Sequence, residues 1–273
     1  MLVALLLLTV ATADLVRLLP RHARALLLLL ALWAGETTLT VHGTGTPLHL
    51  ALLAPAVALV WVTTTPWTER ARTRPGLGAR MLPIALLSVA VVALLIVDGR
   101  QPAPNGWLVA AIETALPPGL PIISATTAVL TIAITLLLTE TSNRIVRATL
   151  PAPIAVAEQQ ADTRTQRPRI WRPRRRPETP PAGPAPEQMK GGRLIGPLER
   201  ILIAGLLLTA DFAVVAAIIA AKGIVRFPEI SRGSGTGNAA EYFLVGSFVS
   251  WTIAFLAVGL LRLSLTATTT APL

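Results

Sequence analysis

The chain is 273 residues long, 53% hydrophobic and only 14% charged, with a mean hydropathy of +0.63; so few polar side chains could not cover the surface of a water-soluble domain of this size. Its 24 basic against 14 acidic residues leave a net charge of +10, and zero cysteines exclude disulfides, thiolate zinc sites and iron–sulfur clusters. Composition therefore points to an all-α, polytopic transmembrane helical bundle and away from a soluble enzyme.

Seven apolar stretches approach the length a helix needs to span the hydrocarbon core, about 20 residues. They run from Leu2 to Leu19, Ala25 to Val41, Leu48 to Thr64, Met81 to Val97, Gly119 to Leu138, Ile201 to Ala221 and Tyr242 to Leu261. In the first, Ala11-Thr12-Ala13 resembles a signal-peptidase site but lacks a positively charged start before it. Asp14 and Arg17 are three apart near its inner end, where they share a helix face and can neutralise one another. The second stretch is the weakest, because its strongly apolar part ends at Trp33 and meets Gly35, Glu36 and a run of threonines. Glu36 and Glu113 fall near predicted outer ends, within reach of water. His42 and His49 flank one outer loop, and with only Glu36 as a third candidate ligand they do not make a metal site. Trp107 to Leu116 is too short to span and is stopped by Pro117-Pro118-Gly119, so it reads as interfacial or re-entrant.

Arginine and lysine in short loops mark the cytoplasmic side. Arg17, Arg21 and Arg24 follow helix one, Arg70, Arg72, Arg74 and Arg80 follow helix three, and Arg144 and Arg147 follow helix five. This alternation predicts an N-terminus outside, and a cytoplasmic location for residues 151–196 and for the C-terminus after Arg262. The turn carrying Lys222, Arg226 and Arg232 fits poorly, because it would face outward.

Residues 151–193 hold nine prolines, nine basic residues and four acids, a composition that predicts an extended, solvated linker. Within it, RPRIWRPRRRP presents Arg167, Arg169, Trp171, Arg172, Arg174, Arg175 and Arg176. Such a run anchors topology, and it can also contact anionic lipid headgroups, with the tryptophan at headgroup level. Nucleic-acid binding would need a folded platform that the sequence does not show.

Phosphate loops, dinucleotide-binding turns, HExxH pairs and nucleophile elbows are all missing from the sequence, so no catalytic residue and no cofactor is implied. The glycine-rich RGSGTGN around Gly233, Gly235 and Gly237 reads as a connector. Asp211 stands out, ten residues into the sixth stretch, where a carboxylate at the bilayer centre costs roughly 2.5–3.5 kcal/mol. It is expected to face the bundle interior, either as a cation- or proton-coupled site or as an interhelical hydrogen bond. Lys222 lies eleven residues further on, too far to pair with it directly. In the last stretch Gly246, Ser250 and Ala254 form a stripe of small side chains suited to close packing, with Gly205 and Thr209 as a matching surface on helix six.

The final third carries GRLIGPLERILI from Gly192, AAKGIVRFPEI from Ala220 and AEYFLVGSFVS from Ala240. In order and spacing these resemble a bacterial family of multi-pass inner-membrane proteins classed only as a domain of unknown function, with I-G-x-L-E-R, A-K-x-x-x-R-F and A-E-Y-x-L-x-G motifs. About 70 residues are covered; the first 190 do not carry the family's N-terminal pattern. The resemblance implies a multi-pass membrane protein without an assigned reaction, and singles out Glu199, Arg200, Lys222, Arg226, Phe227, Glu229, Glu241 and Tyr242. The same residues suit helix ends: Glu199, Arg200 and Glu241 lie at helix starts, and Lys222 and Arg226 at a helix end before Pro228. Alternatively, Lys222, Arg226, Glu229 and Glu241 converge into a polar site for an anion.

The sequence thus predicts a five-helix region over 1–150, the linker over 151–196, a two-helix module over 197–265 and a tail over 266–273. The expected setting is a bacterial cytoplasmic membrane, since abundant arginine and alanine beside only two lysines suggest a GC-rich genome. The expected role is a non-enzymatic scaffold, sensor or assembly component with a membrane-protein partner; the alternative is a small transporter or channel subunit working through Asp211. An intramembrane enzyme acting on lipid would lack a nucleophile or metal set.

Overall fold

The computed structural model describes residues 1–19, 22–65, 76–115, 123–150, 192–232 and 238–269. Every regular element among them is a helix: α1 (Leu2–Val16), α2 (His22–Thr44), α3 (Leu48–Ala51), α4 (Leu53–Thr64), α5 (Leu77–Asp98), α6 (Trp107–Ala115), α7 (Ala125–Leu137), α8 (Glu140–Thr149), α9 (Gly192–Leu208), α10 (Phe212–Arg232) and α11 (Asn238–Thr269).

A helix that is apolar on every side belongs inside a bundle, and α1, LVALLLLTVATADLV, is the case here. Leu2, Leu5, Leu6 and Val10 are at most 1% exposed, with α2, α4, α5, α7 and α8 packed around them. At one end of α1 the Leu2 and Val3 amides donate to the Asp98 carboxylate at 2.9 and 3.1 Å, which satisfies donors that a helix start leaves open. At the other end Asp14 and Arg17 meet the end of α4 and the side of α8. These contacts define an Asp98 end and an arginine end. α1, α3–α4 and α7–α8 run towards the arginine end, while α2, α5 and α11 run back.

Seven continuous spans are not found among the described residues. Among the described residues three helices are long and apolar enough to cross a membrane, Ala23–Thr44, Leu77–Asp98 and Phe243–Thr266, and a fourth span results if the bent pair Ala125–Leu137 and Glu140–Thr149 counts as one. Leu2–Val16, Leu48–Thr64 and Phe212–Val225 are shorter apolar helices. The breaks have local causes. Pro55 has no amide for the Ala51 carbonyl, and α3 gives way to α4 at Leu52. α7 and α8 meet at 50° around Thr139, whose ψ of −97° leaves the helical region.

The largest departure is in the sixth stretch. Leu207 and Leu206 accept the amides of Ala210 and Asp211, and Ala210 sits at φ 60°, the left-handed residue of a Schellman cap, in a position glycine usually fills. The chain then reverses. α9 and α10 form an antiparallel hairpin in which Ile203, Leu206 and Leu207 pack with Val215 and Ile219, and with Ala254 and Trp251 of α11. α9 also begins at Gly192, inside the stretch assigned to the linker.

The small-residue stripe of α11 works as a packing surface. A Cβ on Gly246 would stand 3.6 Å from Leu150 and 3.8 Å from Val146, Ser250 bonds Arg200, and Ala254 is fully buried. The stripe therefore seats α11 on α8 and α9. Gly205 takes no part, since nothing lies within 4 Å of where its Cβ would be.

Candidate functional site

The last carbonyls of a helix have no partner within it, and in apolar surroundings an unsatisfied carbonyl costs several kcal/mol. Arginines meet this need at four helix ends. Arg17 Nη2 donates to the Val62 carbonyl of α4 and its Nη1 to Thr65 Oγ1 at 2.7 Å. Arg80 Nη1 donates to Leu150 at the end of α8 at 2.9 Å. Arg200 Nη1 donates to Leu138 at the end of α7 at 3.0 Å. Arg262 Nη2 donates to Leu207 and Leu208 at the end of α9, at 2.7 and 3.2 Å. Each guanidinium also places positive charge at the negative end of a helix dipole.

Around Arg17 a buried ion network forms. Asp14, 0% exposed, accepts from Arg17 at 3.1 Å and from Trp61 Nε1 at 3.1 Å, and lies 3.2 Å from Arg144 Nε. Glu140 continues the network to Arg144 at 3.8 Å and to Arg147 at 3.6 Å. The pairing expected between Asp14 and Arg17 is thus one part of a set that ties α1 to α4 and α8.

The second half lies across the α7–α8 bend. Arg200, 3% exposed, donates from Nε to Ser250 Oγ at 2.8 Å and from Nη1 to Asn143 Oδ1 at 2.9 Å, besides Leu138. One planar guanidinium therefore fastens α9 to α11 and to both sides of the bend. Ser142 Oγ takes the Leu137 carbonyl at 2.8 Å, so the adjacent carbonyl freed by the bend is satisfied as well. Beside it Glu199 accepts from Lys222 Nζ at 2.6 and 2.7 Å and from Trp251 Nε1 at 3.0 Å. Lys222 also stands 5.6 Å from the Trp251 ring centroid, within cation–π range.

Of the residues singled out from the sequence, Glu199, Arg200 and Lys222 come together. Asp211 does not face a bundle interior. It lies exposed at the hairpin tip, where Oδ1 accepts the Val214 amide at 3.3 Å and caps α10. Glu241 is exposed in the first turn of α11. The side chains of Arg226, Phe227, Glu229 and Tyr242 lie outside the described residues. So do Arg167, Arg169, Trp171, Arg172, Arg174, Arg175 and Arg176.

Sequence reasoning missed Glu140, Asn143, Arg144 and Arg147 as network members. The available signal was ETSNRIVRAT itself, which sets Glu140, Arg144 and Arg147 four and seven residues apart along one helix face. Among the described residues no group of three or more His, Asp or Glu gathers as a metal ion would require. The arrangement joins helices and leaves its cations outnumbering its carboxylates. No protein family, curated protein or solved structure matches the chain.

Proposed function

We propose that the chain is a multi-pass protein of a bacterial cytoplasmic membrane that acts as a non-enzymatic scaffold or assembly component, in line with the family resemblance of its last third. The observation that carries this reading is the use of its buried charges. Asp14, Arg17, Arg144, Glu199, Arg200 and Lys222 all bond one helix to another. A coupled transporter would need such groups to exchange partners during its cycle, whereas a scaffold needs them fixed.

The arginine end faces the cytoplasm in this reading. Support comes from the hairpin: α10 returns towards the end from which α9 sets out, so the Lys222 turn that fitted poorly outside lies with the other basic residues. α11 then runs from Ser250 beside Arg200 to Ser264 beside Thr127. On this orientation residue 266 emerges on the outer side, the side of residue 1, which revises the cytoplasmic C-terminus expected from helix counting.

A second reading, a transporter or channel subunit working through Asp211, draws on the exposed position of this carboxylate at the tip of a hairpin. Proteoliposomes separate the two. For a scaffold, Asp211→Asn leaves proton and potassium permeability at the wild-type level and lowers stability by less than about 1 kcal/mol, the usual scale for weakening a helix cap. A wild-type ion flux that the substitution abolishes would replace the scaffold with the transporter.

A further inference from the structure

Glu36 is a carboxyl on α2 that none of the networks above takes up. It lies thirteen residues into the candidate span Ala23–Thr44 and eight from its end, about 20 Å and about 12 Å from the two ends at 1.5 Å per residue. Its Oε2 is buried and has no hydrogen-bond partner. The hydroxyl of Thr12 on the adjoining α1 donates to the Leu8 and Thr9 carbonyls of its own helix, at 2.9 and 3.2 Å. Water reaching a helix end, the expectation from sequence, does not describe this position.

The surroundings differ on the two sides of Glu36. Towards the arginine end, Ala25, Leu29 and Trp33 fill the same face of α2 and are buried, and Trp33 Nε1 is tied to the Thr9 carbonyl at 2.9 Å. Towards the Asp98 end the face is a column of buried hydroxyls, Thr37, Thr40 and Thr44. Thr40 Oγ1 donates to the Glu36 carbonyl at 2.8 Å, Thr44 Oγ1 to Thr40 at 2.7 Å, and the Thr44 and Thr46 hydroxyls are 2.8 Å apart. Each threonine that spends its proton on a helix carbonyl keeps lone pairs free to accept another. Hydroxyl groups therefore line the face of α2 from Glu36 towards the Asp98 end, and apolar side chains fill it towards the arginine end.

An ionised carboxylate at that depth, without a cation beside it, is far costlier than the neutral acid. The titratable groups on the elements packed around α2 are Asp14 and Arg17 on α1, His49 on α3 and Glu113 on α6, with His22, Arg24 and His42 on α2 itself. None of those with a described side chain bonds Glu36; Asp14 and Arg17 are engaged with each other.

We propose that Glu36 is an intramembrane proton-binding site, held as the neutral acid and loaded from the Asp98 end through the threonine column. The proposal requires α2 to lie in the membrane and is independent of the scaffold role. The proton is given up by a hydronium ion at the Asp98 end, which is left as water; each hydroxyl that relays it accepts one proton and passes on another, and the last O–H bond forms on the carboxylate.

The test is carbodiimide labelling of the full chain in phosphatidylcholine–phosphatidylglycerol liposomes, mapped by mass spectrometry. With membrane-soluble dicyclohexylcarbodiimide, the oxygen of a protonated carboxyl adds to the reagent's central carbon while its proton passes to nitrogen. The adduct rearranges to a stable N-acylurea that keeps every atom of both reactants. Glu36 is expected to be modified at least about tenfold more than the exposed Glu241, because only the uncharged acid reacts this way in an apolar setting. Glu36→Gln, which keeps shape and removes the acid, loses the adduct and elutes from gel filtration as the wild type does. A water-soluble carbodiimide with an added amine leaves Glu36 untouched. Labelling by the water-soluble reagent would overturn both the site and the membrane placement of α2. Labelling by neither reagent would overturn the proton site and leave the membrane placement standing.

Discussion

Replacing Arg200 with alanine is expected to lower the stability of the folded protein by about 3 kcal/mol or more, since each buried acceptor left without a donor costs roughly 1–3 kcal/mol. Three acceptors lose their partner at once: the Leu138 carbonyl, Asn143 Oδ1 and Ser250 Oγ. The Leu138 carbonyl has no substitute donor in its own helix, because the 50° bend between α7 and α8 has already taken it out of the helical ladder. Arg200→Lys keeps the charge but offers a point ammonium in place of a planar fork, so it recovers only part of the loss. Unfolding by denaturing detergent, followed by circular dichroism in mixed micelles, measures the difference. An alanine variant within about 0.5 kcal/mol of the wild type, the range of a surface change, would mean that the guanidinium does not hold the bend.

Asp14→Asn is expected to cost about 3–5 kcal/mol, the range for breaking a buried ion pair by removing one partner. The substitution hardly changes shape, so the loss is electrostatic. It leaves Arg17 and Arg144 facing one another with the central negative charge gone. The same unfolding assay with a second substitution, Arg144→Met, supplies the diagnostic. Removing one cation relieves the repulsion that the first change creates, so the double variant should be more stable than the sum of the two singles by about 0.5–3 kcal/mol, the coupling scale for residues of one network. Strict additivity would show that Asp14 and Arg144 do not interact.

Sequence pattern revealed the helical class and the close-packing face of α11, because both are periodic properties of the chain itself. It also brought Asp14 and Arg17 together, since their spacing alone puts them on one face. The hairpin was hidden: hydropathy averaged along LLLTADFAVV sees one apolar run, and the reversal at Ala210 uses a left-handed residue that is not glycine. Asp211 consequently looked like a mid-membrane charge when it caps the returning helix. The arginines were legible only as charges on a side of the membrane. Which carbonyl a guanidinium reaches is decided by chain segments far away in sequence, 62 residues for Arg200 and Leu138 and 70 for Arg80 and Leu150. Glu36 was misjudged for a more local reason. A run of threonines resembles a helix end, yet Thr40 and Thr44 return their hydroxyls to carbonyls four residues back, and α2 continues through them.

The reversal of the chain between α9 and α10 is what brings Glu199 to Lys222 and the basic turn to the arginine end. It can be measured directly with nitroxide labels at Leu198→Cys and Ile224→Cys, since both side chains are exposed and the chain has no cysteine of its own. An antiparallel hairpin puts the two backbones side by side, about 10 Å between helix axes, so dipolar coupling should report a short distance set by that spacing and the two label arms. A distance near 39 Å, the length of 26 residues of continuous helix at about 1.5 Å each, would show an unbroken span and contradict the fold described above.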